Sequence, residues 1–100
     1  MAYAERLAEI LTKKFGNTRA YCVCDAGRKV IAGDPDCSFC IRPHKESGWL
    51  VTNQEPGRGT IYQKYHLPTE REACVKFIEM TERSYHLGEY LEEFREKETA

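Results

Sequence analysis

Residues 55–74 read EPGRGTIYQKYHLPTEREAC, and this stretch decides how the second half of the chain folds. The glycines on either side of Arg58 indicate a turn, because glycine readily adopts positive φ. Residues 60–66 then alternate in the manner of a half-buried strand. Thr69 and Glu72 have the spacing of a capping box, so a helix is predicted to begin there. The stretch is therefore predicted to be one arm of a hairpin that leads into a helix.

The glycines around Arg58 are not predicted to form a phosphate-binding loop. A P-loop needs four residues between its glycines, then Gly-Lys-Ser/Thr at the start of a helix. Here a single arginine separates the glycines, and a strand follows them. We expect Arg58 to lie exposed at the tip of the hairpin, where it is available to a partner.

Outward from this stretch, changes of hydrophobic period predict the remaining elements. The predicted segments are a helix over 3–15, strands over 20–24, 37–42, 49–53 and 60–66, a helix over 69–84 and a short helix after Gly88. Residues 29–31 are interpreted as a continuation of the first strand's edge. The order α-β-β-β-β-α-α predicts an α+β fold with an antiparallel four-stranded sheet, an N-terminal helix and two C-terminal helices. The whole chain, 1–100, is predicted to be a single domain.

Composition restricts the classes of function. The chain has 100 residues, 41% of them hydrophobic and 31% charged, with a net charge of −1, which is typical of a soluble globular protein. We expect no nucleic-acid partner, because no bulk positive charge is present. We expect no membrane span and no signal peptide, because charges interrupt the first 15 residues, and we predict a cytoplasmic location. Residues 51–100 carry 7 basic and 10 acidic residues, and the acidic ones concentrate after position 88.

The five cysteines suggest two different interpretations. Cys22, Cys24, Cys37 and Cys40 could supply four thiolates to zinc. Against this, an extended segment over 37–42 would place Cys37 and Cys40 on opposite faces of the sheet. We therefore expect the cysteines to be small buried hydrophobic residues, and we predict neither a metal nor a cofactor.

No catalytic group is predicted. Cysteine, histidine and aspartate are all present, but none of them lies in a local signature of nucleophilic catalysis. No two of the histidines, His44, His66 and His86, have a metal-binding spacing on one element, and His44 is interpreted as a loop residue. The chain is therefore predicted not to be an enzyme.

A family resemblance emerges when the short motifs are taken in order. The motifs are Ala20-Tyr21-Cys22-Val23, Gly48-Trp49-Leu50-Val51, Glu55 with Gly57-Arg58-Gly59, Thr69-Glu70-Arg71-Glu72-Ala73-Cys74, and Phe77-Ile78. Together they resemble small bacterial immunity proteins of polymorphic toxin and contact-dependent growth inhibition systems. The turn is longer by two residues than the family's acidic-Arg-Gly turn. The resemblance implies a non-enzymatic inhibitor whose partner is a cognate toxin C-terminal domain.

Two hypotheses follow from the sequence. The first is an immunity protein that occludes the active site or substrate surface of a toxin domain, such as a nuclease with a basic groove. The residues predicted to bind the toxin are Arg58, Tyr62, Glu89, Glu92, Glu93 and Glu96. The alternative is a small zinc-binding regulatory module that uses the four cysteines named above. An exposed edge strand would in addition permit a homo-oligomer.

Overall fold

The computed structural model describes residues 2–16, 18 and 20–95. Three helices and five strands are formed by these residues. The elements are α1 Tyr3–Phe15, β1 Tyr21–Cys24, β2 Val30–Gly33, β3 Phe39–Pro43, β4 Trp49–Gln54, β5 Ile61–Leu67, α2 Glu70–Tyr85 and α3 Leu91–Phe94, with a 3₁₀ turn at Gly88–Tyr90 before α3. The predicted α+β class is confirmed.

The sheet is mixed, and its strands lie in the order β2-β1-β3-β4-β5. β1 pairs antiparallel with β2 but parallel with β3, whereas the β3–β4 and β4–β5 pairs are antiparallel. The prediction of four antiparallel strands was therefore wrong in the number of strands and in the direction of one pairing.

The additional strand has a local cause. The backbone N–H of Asp25 donates to the carbonyl of Lys29 at 2.9 Å, and Arg28 has a φ of 69°. This turn reverses the chain, so that Val30–Gly33 folds back on β1 instead of continuing its edge. β3 runs opposite to β2, and it therefore lies parallel to β1 when it pairs with the other side of that strand.

The predicted start of the second long helix is confirmed. The side chain of Thr69 accepts a hydrogen bond from the backbone N–H of Glu72 at 3.1 Å, as an N-cap should. The helix runs to Tyr85 and ends where His86 adopts a left-handed conformation. One face of α2, including Phe77 and Ile78, is buried.

The helix predicted over 3–15 is also confirmed. Leu7, Ile10 and Leu11 are buried at helical spacing, while Tyr3 and Phe15 at its two ends are partly exposed. The helix ends at Gly16, whose N–H donates to the carbonyl of Thr12.

α1 and α2 contribute to one core with one face of the sheet, which we call the helix face. Strand residues alternate between faces, so Tyr21, Val23, Ile41 and Val51 point towards the helices. Cys22, Cys24 and Cys40 point to the opposite side, which we call the open face. No helix within the described residues combines the length and the apolarity that a bilayer-spanning segment needs.

Candidate functional site

The β4–β5 hairpin carries the most exposed aromatic side chain of the part that the structure describes. Tyr62 is 62% exposed and its neighbour Ile61 45%. The backbone N–H of Glu55 donates to Thr60 at 2.7 Å and closes the turn. Arg58 lies in this turn with its side chain 79% exposed. These findings confirm the predicted hairpin and its exposed arginine.

The hairpin also lies at one edge of the sheet. β5 hydrogen-bonds to β4 and is the last strand in the sheet order, so its outer side faces away from the other strands. Residues 61–64 are exposed on both faces, whereas Tyr65 and Leu67 pack against the main core. The first half of β5 therefore extends beyond the layer that α2 covers.

The electrostatics of the turn are local. The guanidinium of Arg58 lies 4.0 Å from the carboxylate of Glu55. Desolvation and a hydrogen bond with Glu55 both raise the pKa of Tyr62. At this exposure such a pair contributes little to stability, so these side chains remain available to a partner.

The acidic residues after Gly88 have different roles. Glu93 accepts two hydrogen bonds from the guanidinium of Arg6, at 2.7 and 2.9 Å, and this ion pair joins α3 to α1. The hydrogen bond with Arg6 lowers the pKa of the Glu93 carboxyl. Glu92 pairs with Arg95 at 2.9 Å, and Glu89 is exposed.

The predicted toxin-binding residues therefore lie on two separate elements. Arg58 lies in the turn of the hairpin and Tyr62 lies on β5, which packs on β4 and α2. In contrast, α3 packs on α2 and is joined to α1 by an ion pair. Within the described part of the chain, Arg58 pairs with Glu55, Glu92 with Arg95 and Glu93 with Arg6, and none of these pairs joins the two groups. Glu96 lies outside the described residues. Glu93 is engaged with Arg6 and Glu92 pairs with Arg95, while Glu89 and Glu92 are exposed on this surface.

The four cysteines of the zinc hypothesis come together on the open face. Cys22 lies opposite Cys40 in the β1–β3 register, and Cys24 is two residues further along the same face of β1. The four residues form a buried cluster with exposures of 8% or less, which we call the thiol cluster. The fifth cysteine, Cys74, lies on α2 in the main core.

The expectation that Cys37 and Cys40 would lie on opposite faces was wrong. β3 begins at Phe39, so Cys37 is part of a bend and not of an extended strand. Gly33 allows this bend: its φ is 79°, and a Cβ there would lie 1.8 Å from the carbonyl oxygen of Tyr21. The bend returns Cys37 to the open face, where it is fully buried.

The thiol of Cys37 donates to the carbonyl oxygen of Phe39 at 3.3 Å, and the thiols of the cluster shift one another's pKa. The neighbouring thiol of Cys24 raises the pKa of Cys22, and Cys22 in turn lowers the pKa of Cys24 to about 7. The neighbouring thiol of Cys22 raises the pKa of Cys37 to about 12. The pKa of Cys40 is also raised, to about 12; Cys22 lowers it, but Cys37 and burial outweigh that contribution.

The chemistry of these donors fits a soft or borderline metal, because four thiolates are a common ligand set for structural zinc. As the side chains stand, however, no group of three or more His, Cys, Asp or Glu in the described part of the chain is arranged to hold a metal ion. Coordination would therefore require the cysteine side chains to rotate towards a common centre.

Sequence reasoning missed a basic depression on the open face. Arg28, Arg42 and Lys45 line a cavity of about 390 Å³ together with the apolar side chain of Leu50. The guanidinium of Arg28 donates to the carbonyl of His44 at 2.8 Å. These cations meet because β1 and β3 are parallel neighbours, which no short-range pattern in the sequence indicates. His44 follows β3, as predicted for a loop residue.

A second depression, of about 500 Å³, lies between α1 and β2, and its residues include Glu5, Glu9 and Ile31. Comparison of the chain with protein-family models, with curated proteins and with solved structures gives no match.

Proposed function

We propose that this chain is an immunity protein that binds a cognate bacterial toxin domain and neutralises it by covering the active site or substrate surface. The observation that carries the proposal is the exposed β4–β5 hairpin, which presents Tyr62, Ile61 and Arg58 at the edge of the sheet. Tyrosine and arginine are enriched among the residues that dominate binding energy in protein interfaces.

The edge position adds a second means of recognition. The outer side of β5 offers backbone N–H and C=O groups to an extended segment of a partner, which could add a strand to the sheet. Lys64 on this strand is the type of charged residue that discourages uncontrolled edge pairing. An extended segment beside the toxin's basic groove, with a polar or acidic side chain opposite Lys64, would satisfy both the backbone and Lys64.

The acidic residues of α3 and of the 3₁₀ turn before it contribute to association in this proposal. Glu89 and Glu92 are exposed, and a nuclease toxin would present a basic groove. Charges at the rim of an interface accelerate association more than they slow dissociation. We therefore assign the short-range contacts to the hairpin and long-range attraction to α3.

The sequence motifs that resemble immunity proteins support the proposal by their order along the fold. Gly48-Trp49-Leu50-Val51 reaches into β4, and Glu55 with Arg58 forms the turn of the hairpin. Thr69–Cys74 contains the N-cap of α2 and its first turns. The resemblance thus covers the elements that hold the exposed hairpin in place.

The proposal is tested by a rescue assay in cells and by a binding measurement with the purified proteins. The C-terminal domain encoded immediately upstream is expressed in a sensitive host, with and without this chain, and the affinity of the complex is measured by calorimetry. We expect growth to be restored, and we expect Tyr62→Ala to weaken binding at least ~10-fold, equivalent to about 1.4 kcal/mol.

The matched control is Tyr3→Ala, which removes another partly exposed tyrosine, 43% accessible, from α1 instead of β5. We expect this variant to bind as the wild type does. Lack of rescue and of binding by a folded wild-type protein would overturn the proposal. Equal losses in the two tyrosine variants would overturn the assignment of the hairpin. A dimer of this chain held through β5 would instead identify a second copy as the occupant of the edge.

A further inference from the structure

The thiol cluster is separate from the main apolar core. It consists of Cys22, Cys24, Cys37 and Cys40 alone, and no aliphatic or aromatic residue belongs to it. A buried cluster that served only to exclude water would be expected to contain valine, leucine or isoleucine as well. Its composition points instead to the chemistry of sulfur.

Three separate segments converge to form the cluster. β1 supplies Cys22 and Cys24, β3 supplies Cys40, and the bend at residues 34–38 supplies Cys37. The positions follow the pattern Cys-x-Cys and Cys-x-x-Cys, and the parallel pairing of β1 with β3 sets the two pairs side by side. Zinc sites of the four-thiolate type also combine two short cysteine pairs from different segments.

The bend that carries Cys37 is held by bonds from outside it. Asp34 donates its backbone N–H to Tyr21 at 3.0 Å, and Ser38 accepts from the backbone N–H of Gln54 at 2.7 Å. The carboxylate of Asp36 accepts a hydrogen bond from the backbone N–H of Gly57. The backbone that presents Cys37 is thus fixed on both sides, and rotation of the side chains is the remaining adjustment.

We propose that Cys22, Cys24, Cys37 and Cys40 bind one zinc ion as a four-thiolate structural site. With Zn–S distances of about 2.3 Å in a tetrahedron, the sulfur atoms would lie about 3.8 Å from one another. Reaching these positions requires the cysteine side chains to rotate, because no three of the described His, Cys, Asp or Glu side chains are arranged to hold a metal ion as they stand. No ligand of the site belongs to the proposed toxin-binding residues, although the bend that carries Cys37 accepts a hydrogen bond from Gly57 in the hairpin turn.

Binding exchanges protons for the metal. Four thiols and one Zn²⁺ give a tetrathiolate complex of net charge −2 and up to four protons, with no change in oxidation state. Arg42 lies close enough to lower the pKa of Cys24 and of Cys40 by its charge, and it would partly offset the negative charge of the complex. Because protons are released, the affinity for zinc increases with pH.

The test is metal uptake by the full chain. Reduced protein is treated with chelator, incubated with zinc alone, freed of excess metal and analysed for zinc per chain by elemental mass spectrometry. We expect one zinc per wild-type chain. We expect Cys37→Ser to bind at least ~100-fold more weakly, a larger effect than loss of an outer-shell partner of a metal site.

The matched control is Cys74→Ala, which removes a buried thiol of α2 from the main core. This variant should retain one zinc. Cadmium NMR and cobalt(II) absorption of the wild type report four sulfur ligands directly, so the test does not depend on a variant that folds. Folded wild-type protein that takes up no zinc would overturn the proposal. So would a Cys37→Ser variant that retains wild-type affinity, or a folded Cys74→Ala variant that loses the metal.

Discussion

The two faces of the sheet are built from the same strands but bury different chemistry. On the helix face, Tyr21, Val23 and Ile41 join the continuous core beneath α1 and α2. On the open face, Cys22 and Cys40 occupy the alternate positions of the same strands and contact other thiols. Alternation along a strand decides which face a residue takes. The elements that cover each face then decide whether a buried residue contacts an apolar core or other thiols.

The covering elements also differ in strength. Two long helices cover the helix face, and their buried residues include Leu7, Leu11, Phe77 and Ile78. The thiol cluster lies beneath a bend held by a few hydrogen bonds. We therefore expect the helix face to dominate the free energy of unfolding, whereas changes to the open face should act locally.

The largest effect is expected from Phe77→Ala. Phe77 is fully buried on α2, and its truncation removes apolar contacts and leaves a cavity, so the free energy of unfolding should fall by about 3–5 kcal/mol. Urea denaturation followed by circular dichroism measures the change. The control is Phe15→Ala, which removes a ring that is 38% exposed and should cost much less. Similar losses in both variants would contradict the assignment of the core.

The second effect concerns the bend that closes the open face. Gly33→Ala would place a Cβ 1.8 Å from the carbonyl oxygen of Tyr21 at a φ of 79°, so the free energy of unfolding should fall by at least ~2 kcal/mol. Gly59→Ala is the control: its φ is 71°, but no atom lies within 4 Å of the added Cβ, and about 1 kcal/mol is expected. Thermal denaturation distinguishes the two. Equal losses of stability in the two variants would show that the positive φ alone, and not the close contact with Tyr21, destabilises the protein.

The smallest effect is a difference in thiol reactivity in metal-free protein. The neighbouring thiol of Cys22 lowers the pKa of Cys24 to about 7, so alkylation of Cys24 should accelerate through neutral pH before that of Cys37. The lowered pKa contributes stability above the unfolded value of about 8.5 and loses it as pH falls through about 7. Mass spectrometry of alkylated peptides from pH 6 to 9 measures the order. In the Arg42→Gln variant, the pH at which Cys24 alkylation reaches half of its maximal rate should move upwards. If this pH stays unchanged, Arg42 does not help to lower the pKa of Cys24.

Local signals in the sequence predicted much of the fold. The capping box at Thr69 and Glu72, the glycine-containing turn at Arg58 and the helical spacing of Leu7, Ile10 and Leu11 all correspond to observed elements. Each signal acts over a few residues, where propensity and side-chain bonding decide the conformation.

Long-range geometry was not predictable in the same way. The turn at Arg28 makes a separate strand of residues 30–33, and that single reversal sets β1 parallel to β3. The same reversal and the bend at Gly33 bring Cys37 beside Cys40. The pairing of Arg6 with Glu93 joins residues 87 positions apart. Such contacts depend on the assembled fold and leave no periodic signal.

That pairing between the first and last helices has a consequence for synthesis. Phe94 is fully buried and its ring centroid lies 6.2 Å from that of Tyr3, so α1 needs α3 to complete its flank. At about 5–20 residues per second, Arg6 leaves the ribosome's catalytic centre roughly 4–17 s before Glu93 is added. Until α3 has emerged, the flank of α1 at Tyr3 that Phe94 covers is exposed, so we expect the unfinished chain to bind chaperones more readily than the folded chain does.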